Sequence, residues 1–132
     1  MKLSEIISRF IPQITPKLLR MTLIDNEAGN TFDLTELSQG KDRLTIGKDG
    51  YGADICLGQG LSGYYYESKL STVSREHAAL IYDGDKNKFY LQDMSKNGTR
   101  VNGEPLGEGK RPLKVGDKLM FASYGPVIVA RK

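Results

Sequence analysis

Hydrophobic and polar residues alternate with a period of two along short segments from about residue 20 to the end of the chain. This alternation is typical of β-strands that bury one face in a core. Turn-forming residues separate the segments, as at Asp83-Gly84-Asp85 and Asn102-Gly103. We predict strands over residues 20–25, 31–37, 43–47, 53–57, 77–83, 87–93, 99–102, 111–115, 117–122 and 126–131. Roughly ten or eleven short strands at this spacing predict an all-β protein, an antiparallel β-sandwich.

The first part of the chain, residues 1–19, shows a different pattern, because apolar residues recur there at helical spacing. Pro12 and Pro16 restrict any helix to roughly residues 3–11. We therefore predict an N-terminal extension over residues 1–19, either a short amphipathic helix or irregular chain, and one β-sandwich domain over residues 20–132. Two alternatives remain for the apolar face of the extension. It packs on this domain or a neighbouring copy, or it docks on a partner or a membrane surface.

A long connection over residues 58–73 interrupts the strand pattern. Connections of this length inside compact domains are usually functional or disordered. Three consecutive tyrosines lie in it, Tyr64, Tyr65 and Tyr66. They either pack as a lid over the core or line a peptide groove, and the sequence leaves both alternatives open.

A polar corner runs directly into an apolar segment at residues 72–82. The corner carries hydroxyl, cationic and imidazole side chains, and the run Ala78–Tyr82 that follows is apolar. Good helix formers occur here, but we predict a strand, because the apolar run is short and has no helical stripe. Residues 91–99 also end a strand in hydroxyl, cationic and amide side chains, so two such corners can face one ligand.

Charge and cysteine usage exclude several classes of protein. The net charge of +3 lies within residues 1–20, where four basic residues accompany one acidic residue, so the rest of the chain is balanced. A balanced domain lacks the basic field of nucleic-acid-binding proteins. Cys56 is the only cysteine, which excludes an internal disulfide and fits a reducing compartment. Neither a signal-peptide pattern nor a long apolar run occurs, so we predict a cytoplasmic protein without a membrane span.

The sequence offers few residues that could form a catalytic or cofactor site. His77 is the only histidine, and a hydrolase triad would have to recruit Ser74 from the same turn. This spacing is better explained by a histidine that folds back and hydrogen-bonds its own loop. One histidine and one cysteine give no metal cluster, and residues 47–52 lack the spacing of a nucleotide-binding phosphate loop. We therefore predict a non-catalytic protein without a metal or a cofactor.

Polar residues at three strand ends instead favour the recognition of an anion. They are Lys48, Ser74, Arg75, Lys96 and Asn97. A phosphate group on a peptide suits hydroxyl, amide and cationic donors on separate loops, and a β-sandwich clusters such loops at one end. The alternative for each residue is structural: solvated lysines, a turn-forming serine and a tight turn at Asn97-Gly98.

Five sequence blocks carry a resemblance to a known family. They are Leu44-Thr45-Ile46-Gly47-Lys48, Ala53-Asp54-Ile55-Cys56-Leu57, Val73-Ser74-Arg75-Glu76-His77-Ala78, residues 91–103 and residues 113–121. In this order and spacing, the blocks resemble the forkhead-associated (FHA) domain over about residues 43 to 122. Residues 20–42 are compatible with the opening strands of that family. The resemblance implies an eleven-stranded β-sandwich of the FHA/SMAD-like fold, whose loops bind phosphothreonine peptides.

The resemblance also implies roles for individual residues. Contacts to the phosphopeptide are implied for Lys48, Ser74, Arg75, Lys96 and Asn97. A bracing role within the loops is implied for Gly47, His77 and Gly98. The long connection would adjust ligand choice through Tyr64, Tyr65, Tyr66 and Lys69.

Two hypotheses follow for the function. The leading one is a signalling module that binds a phosphothreonine-bearing protein or peptide, with its own N-terminal tail, which carries Thr15 and Thr22, as a further candidate ligand. The alternative is a phosphate-independent scaffold or assembly domain with the same fold. Lys48 favours this alternative, because the family normally has an arginine there and lysine offers a point charge instead of a bidentate fork.

Overall fold

Two β-sheets pack face to face in the computed structural model, which describes residues 21–131. The strands are β1 (Met21–Asp25), β2 (Asn30–Asp33), β3 (Arg43–Lys48), β4 (Ile55–Leu57), β5 (Ala78–Asp83), β6 (Lys88–Asp93), β7 (Thr99–Val101), β8 (Glu104–Pro105), β9 (Lys110–Pro112), β10 (Lys118–Phe121) and β11 (Tyr124–Arg131). Two short helices accompany them, α1 (Leu34–Leu37) after β2 and α2 (Tyr64–Leu70) between β4 and β5. The prediction of an eleven-stranded all-β sandwich is confirmed.

The strand order places the ends of β3, β5 and β6 side by side. One sheet has the order β2-β1-β11-β10-β7-β8, and the other has the order β4-β3-β5-β6-β9. Neighbouring strands are antiparallel, with the exception of the parallel pair β3 and β4. Because β5 runs antiparallel to both β3 and β6, the start of β5 lies next to the ends of β3 and β6. Three loops therefore meet at one edge of this sheet.

The core lies between the sheets and consists of the inward-facing residues of each strand. In β3, Leu44 and Ile46 are buried while Thr45 between them is partly exposed, as the period of two predicts. β6 follows the same rule with Phe89 and Leu91. Each such side chain contributes roughly 1.5–3 kcal/mol by leaving water. This packing gives the loops at the edge a rigid support.

The predicted strand over residues 31–37 is wrong beyond Asp33. The side chain of Asp33 accepts hydrogen bonds from the amides of Thr35 and Glu36, at 3.0 and 3.2 Å, and caps α1 at that point. An aspartate in this position satisfies the first free amides of a helix and ends the preceding strand. Leu34 is buried in the core, but it belongs to α1 and not to a strand.

Other boundaries differ from the predicted ones for local reasons. The predicted strand over residues 111–115 ends at Pro112, because the amide of Lys114 donates to the carboxylate of Asp117 at 2.8 Å and forms a turn. The connection over residues 58–73 is not irregular throughout, since it contains α2. The two-residue strand β8 was not predicted, because it is too short to show alternation.

The predicted N-terminal extension over residues 1–19, with its predicted helix near residues 3–11 and Thr15, lies outside the described residues. Thr22 belongs to β1, where it pairs with Ala130 on one side and Asp33 on the other and is only 6% exposed. The suggestion that Thr22 is a phosphorylated tail residue is therefore wrong for the folded domain. Within residues 21–131, neither helix is long or apolar enough to cross a membrane.

Candidate functional site

Ser74 lies where the three loops at the sheet edge meet. Its carbonyl oxygen accepts a hydrogen bond from the amide of Lys48, at 3.1 Å. Its side-chain oxygen accepts one from the amide of Lys96, at 3.3 Å. The loop after β3, the segment before β5 and the loop after β6 are thus joined through one serine. Because its Oγ accepts a bond here, the hydroxyl hydrogen of Ser74 can still be donated to a ligand.

The close approach of β3 to the segment before β5 requires a glycine at position 47. A Cβ built on Gly47 would overlap the carbonyl oxygen of Arg75, which belongs to the backbone and cannot move aside easily. Gly47 itself is buried. The absence of a side chain there allows the Lys48 amide to reach the Ser74 carbonyl oxygen.

His77 connects two of the loops from a completely buried position. Its Nδ1 accepts a hydrogen bond from the Ser74 amide at 3.0 Å, and its Nε2 lies 2.9 Å from the carbonyl oxygen of Gly98. An amide only donates and a carbonyl oxygen only accepts, so the ring is neutral with its proton on Nε2. Burial lowers the pKa of His77, against the opposing effects of the Gly98 bond and the charge of Asp93.

The carboxylate of Asp93 shapes the loop after β6. It accepts hydrogen bonds from the Ser95 hydroxyl at 2.6 Å, the Ser95 amide at 3.0 Å and the Thr99 hydroxyl at 2.9 Å. The Ser95 oxygen in turn accepts the Gly98 amide at 2.8 Å. Burial alone would raise the pKa of Asp93, but these hydrogen bonds bring it below the ordinary value. These hydrogen bonds of the Asp93 carboxylate hold the loop after β6 in its conformation.

Asn97 fastens the loop after β6 to the end of the long connection. Its Nδ2 donates to the carbonyl oxygen of Thr72 at 2.8 Å. Because that oxygen only accepts, the amide orientation is fixed, and Oδ1 remains able to accept a bond from a ligand. The hydroxyl of Thr72 forms two further hydrogen bonds: it accepts one from the Ser123 amide at 3.1 Å and donates one to the Lys69 carbonyl oxygen at 2.7 Å. Thr72 was not among the predicted binding residues, although it lies only two positions before Ser74 in the polar corner over residues 72–82.

Three cationic side chains of the site have no acidic partner. Within the described part of the chain, the side chains of Lys48, Arg75 and Lys96 form no ion pair and no hydrogen bond. Lys48 and Arg75 instead lie against the ring of Tyr51, with Nζ 5.8 Å and Cζ 4.6 Å from its centroid. Tyr51 was not predicted; the available signal was an aromatic residue between two glycines just after Lys48.

The long connection is tied to the turn between β1 and β2. Lys69 forms an ion pair with Glu27 at 2.8 Å, and this hydrogen bond raises the pKa of Lys69. The Lys69 ammonium also lies 4.7 Å from the ring centroid of Tyr65. The Gly58 amide donates to the buried carboxylate of Asp25 at 3.0 Å. Lys69 thus contributes to holding α2 in place.

The tyrosines of α2 do not form a lid over the core. Tyr64 is 87% exposed, Tyr65 is 61% exposed, and α2 has no buried residue. Tyr66 is partly buried and packs edge to face on Tyr65, with centroids 5.2 Å apart. The lid alternative is therefore wrong for the two exposed rings, and a role in lining a groove stays a prediction. The described residues also contain no group of three His, Cys, Asp or Glu side chains that could hold a metal ion.

The chain matches a family model and a number of solved structures. The family model "FHA domain" matches residues 44–122. No curated protein sequence matches the chain. Among solved structures, the chain is similar to the FHA domain of the CT664 protein from Chlamydia trachomatis, with 24% identity over 86% of this chain and 98% of that chain and a TM-score of 0.63.

Two further solved structures have similar scores. The FHA domain of an Arabidopsis thaliana hypothetical protein shares 21% identity, with 85% of each chain covered and a TM-score of 0.62. The N-terminal FHA domain of S. cerevisiae Rad53p, solved in complex with a phosphothreonine peptide, shares 19% identity over 86% of this chain and 94% of that chain, with a TM-score of 0.62. These likenesses show that the chains share one fold.

Proposed function

The chain belongs to the FHA domain family, and we propose on this basis that it is a non-catalytic module that binds phosphothreonine-containing peptides in signalling. The family fold is a recognition fold, and the Rad53p domain was solved with such a peptide. The proposed site consists of Lys48, Ser74, Arg75, Lys96 and Asn97.

One observation carries this proposal. The loops around Ser74 hold three cationic side chains that no carboxylate in the described residues neutralises, beside a hydroxyl whose hydrogen is available. The ion pairs of the described residues lie outside these loops and join Lys41 to Asp54, Lys69 to Glu27 and Arg111 to Glu104. An uncompensated group of cations next to a hydroxyl donor suits a dianion such as a phosphate ester.

Each residue of the site has a distinct role in the proposed complex. The Ser74 hydroxyl donates to one phosphate oxygen, because its own oxygen already accepts the Lys96 amide. Arg75 supplies a planar pair of N–H donors, whereas Lys48 supplies a point charge that tolerates several orientations. Lys96 adds a second ammonium from the opposite loop. A phosphate carries about two negative charges near neutral pH, so it gains more from this group than a carboxylate does.

Asn97 would hold the peptide backbone beside the phosphate. Its Nδ2 is committed to Thr72, which fixes the side chain, and its Oδ1 remains to accept a backbone amide of the ligand. A side chain held in place before binding loses little conformational freedom on binding. The proposal therefore separates two functions: the cations bind the phosphate, and Asn97 aligns the chain that carries it.

The test is a titration of the whole chain with a phosphothreonine peptide library and with the same library unphosphorylated. We expect binding to the phosphorylated library alone. Ser74→Ala removes a charge-assisted hydrogen bond and should weaken binding at least about tenfold. Calorimetry or fluorescence anisotropy measures both effects.

Ser38→Ala is the matched control. The Ser38 hydroxyl also forms a hydrogen bond with the backbone, in which it donates to the carbonyl oxygen of Thr35 at 3.2 Å, but it lies at the end of α1, before β3 begins. This variant should bind as the wild type does. Equal binding to both libraries, or undiminished binding by Ser74→Ala, would refute the phosphate clamp and favour the phosphate-independent scaffold, which Lys48 and the exposed tyrosines of α2 support.

The N-terminal tail is a second candidate ligand within the same proposal. A synthetic peptide of residues 8–20 with phosphothreonine at Thr15 should compete with the library if the tail binds in the site. Failure of that peptide to compete removes the tail as a ligand and leaves binding of other phosphopeptides unaffected.

A further inference from the structure

Tyr51 lies between the two cations at the β3 and β5 ends of the proposed site. The Arg75 Cζ is 4.6 Å from the ring centroid and the Lys48 Nζ is 5.8 Å from it, so both lie within the range of cation–π attraction. The two cations are 27 residues apart along the chain, and the ring is the side chain that both contact. Tyr51 is thus a common support for them.

The core does not require an aromatic residue at this position. Tyr51 is 51% exposed and lies outside the apolar cluster that joins the sheets. The glycines on both sides, Gly50 and Gly52, have φ angles of 96° and 84°, which place the backbone in the left-handed region. This backbone presents the ring at the tip of a tight turn. An exposed aromatic ring held in this way points to a role at the surface.

A contact with a ring orders a cation without consuming its hydrogen-bond donors. Where a guanidinium stacks on a ring, the attraction acts on its face, and the five N–H groups in its plane stay available. An ion pair with a carboxylate would occupy those groups and neutralise the charge. A lysine or arginine that is already ordered also loses less rotamer entropy when it binds.

We propose that Tyr51 is a positioning residue that holds the side chains of Lys48 and Arg75 in place for the phosphate. For Lys48, the contact with the ring provides the preorganisation that the planar guanidinium of an arginine would otherwise provide. The inference rests on the proposed function of the site. It assigns to Tyr51 a contribution to affinity through the two cations and not through a direct contact with the ligand.

The first test compares three variants for binding of N-acetyl-phosphothreonine N-methylamide, followed by NMR titration. Tyr51→Phe keeps the ring and should bind within about twofold of the wild type, whereas Tyr51→Leu should lose about fivefold. Tyr90→Leu is the matched control, because it removes a similar contact, to Lys110 at 4.9 Å, between β6 and β9. It should bind as the wild type does.

The second test shows whether the effect passes through the cations. In a Lys48→Ala, Arg75→Ala background, Tyr51→Leu should cause no further loss of affinity, because nothing remains for the ring to hold. A loss that persists there would overturn the inference in favour of a direct ligand contact. Unchanged or tighter binding by Tyr51→Leu in the wild-type background would overturn it as well.

A third measurement needs no ligand and separates this inference from the proposed function. Ring currents should shift the side-chain proton resonances of Arg75 and Lys48, and these shifts should disappear in Tyr51→Leu and persist in Tyr51→Phe. If the shifts are present but the wild type does not bind the phosphothreonine probe, the proposed function fails and the support of the cations by Tyr51 stands. If the shifts are absent, the inference fails whatever the probe does.

Discussion

Acidification below about pH 6.5 should destabilise this domain through one residue, His77. In the folded state Nδ1 accepts the Ser74 amide and Nε2 bonds the Gly98 carbonyl oxygen, so a proton on Nδ1 would break the first bond and place a charge in a fully buried site. Burial therefore lowers the pKa of His77 below its ordinary 6.5. His77 is the only histidine in the chain, so no other histidine contributes to this change.

The sign and size follow from proton linkage. Because the pKa is lower in the folded state, the unfolded chain binds more protons at mildly acidic pH, and the stability is complete above the unfolded pKa and falls as the pH decreases through it. The free energy of unfolding should decrease by up to about 1 kcal/mol between pH 7 and pH 5.5, with a limiting slope of about 1.4 kcal/mol per pH unit. The pKa of Asp93 lies below its ordinary value, so this carboxylate remains ionised over that interval.

Urea unfolding followed by circular dichroism at half-unit steps of pH measures this change. His77→Gln cannot titrate and should give a nearly flat profile at lower overall stability, since the bonds of the imidazole are only partly replaced. Direct NMR titration of the His77 ring in the wild type provides the result even if this variant does not fold. A ring pKa at or above 6.5, or a wild-type profile as flat as that of the variant, would refute the reasoning.

Two further predictions concern single substitutions. Lys48→Arg should tighten binding of the phosphothreonine library severalfold by restoring a planar pair of donors, and calorimetry against the unphosphorylated library checks it; unchanged or weaker binding would contradict the role given to Lys48. Tyr124→Phe removes the hydroxyl that donates to the buried Asp25 carboxylate at 2.7 Å, and chemical unfolding should show a loss of about 1–3 kcal/mol. Since the Gly58 amide still binds Asp25, the domain should stay folded, and an unchanged free energy of unfolding would contradict this account.

The strands were predictable because their signal is local. Alternation with a period of two requires only neighbouring residues, and it located β3, β5, β6 and β11 within a few residues of their ends. The helices were not predictable in this way. α1 depends on the capping bonds of Asp33, and α2 buries no residue, so it carries no apolar stripe that would distinguish it from a loop.

The candidate site was likewise predictable from the sequence only in part. Polar residues at strand ends are visible in the sequence, and Ser74, Arg75 and Asn97 were identified in that way. The contact of Tyr51 with two cations was not visible, because it depends on a turn that brings together side chains distant along the chain. Thr72 was missed for the same reason, since its partners Asn97 and Ser123 lie 25 and 51 residues away.

The class of fold, the family resemblance and the residue types available for binding an anion could therefore be predicted from the sequence alone. These properties depend on local alternation, turn chemistry and the order of short motifs. Which of these side chains have partners within the domain, and which remain for a ligand, depends on the three-dimensional packing. Lys69 pairs with Glu27, whereas Lys48 and Arg75 meet no carboxylate among residues 21–131 and lie on Tyr51. That distinction depends on distances between segments far apart in the chain, and such distances are set when the two sheets pack.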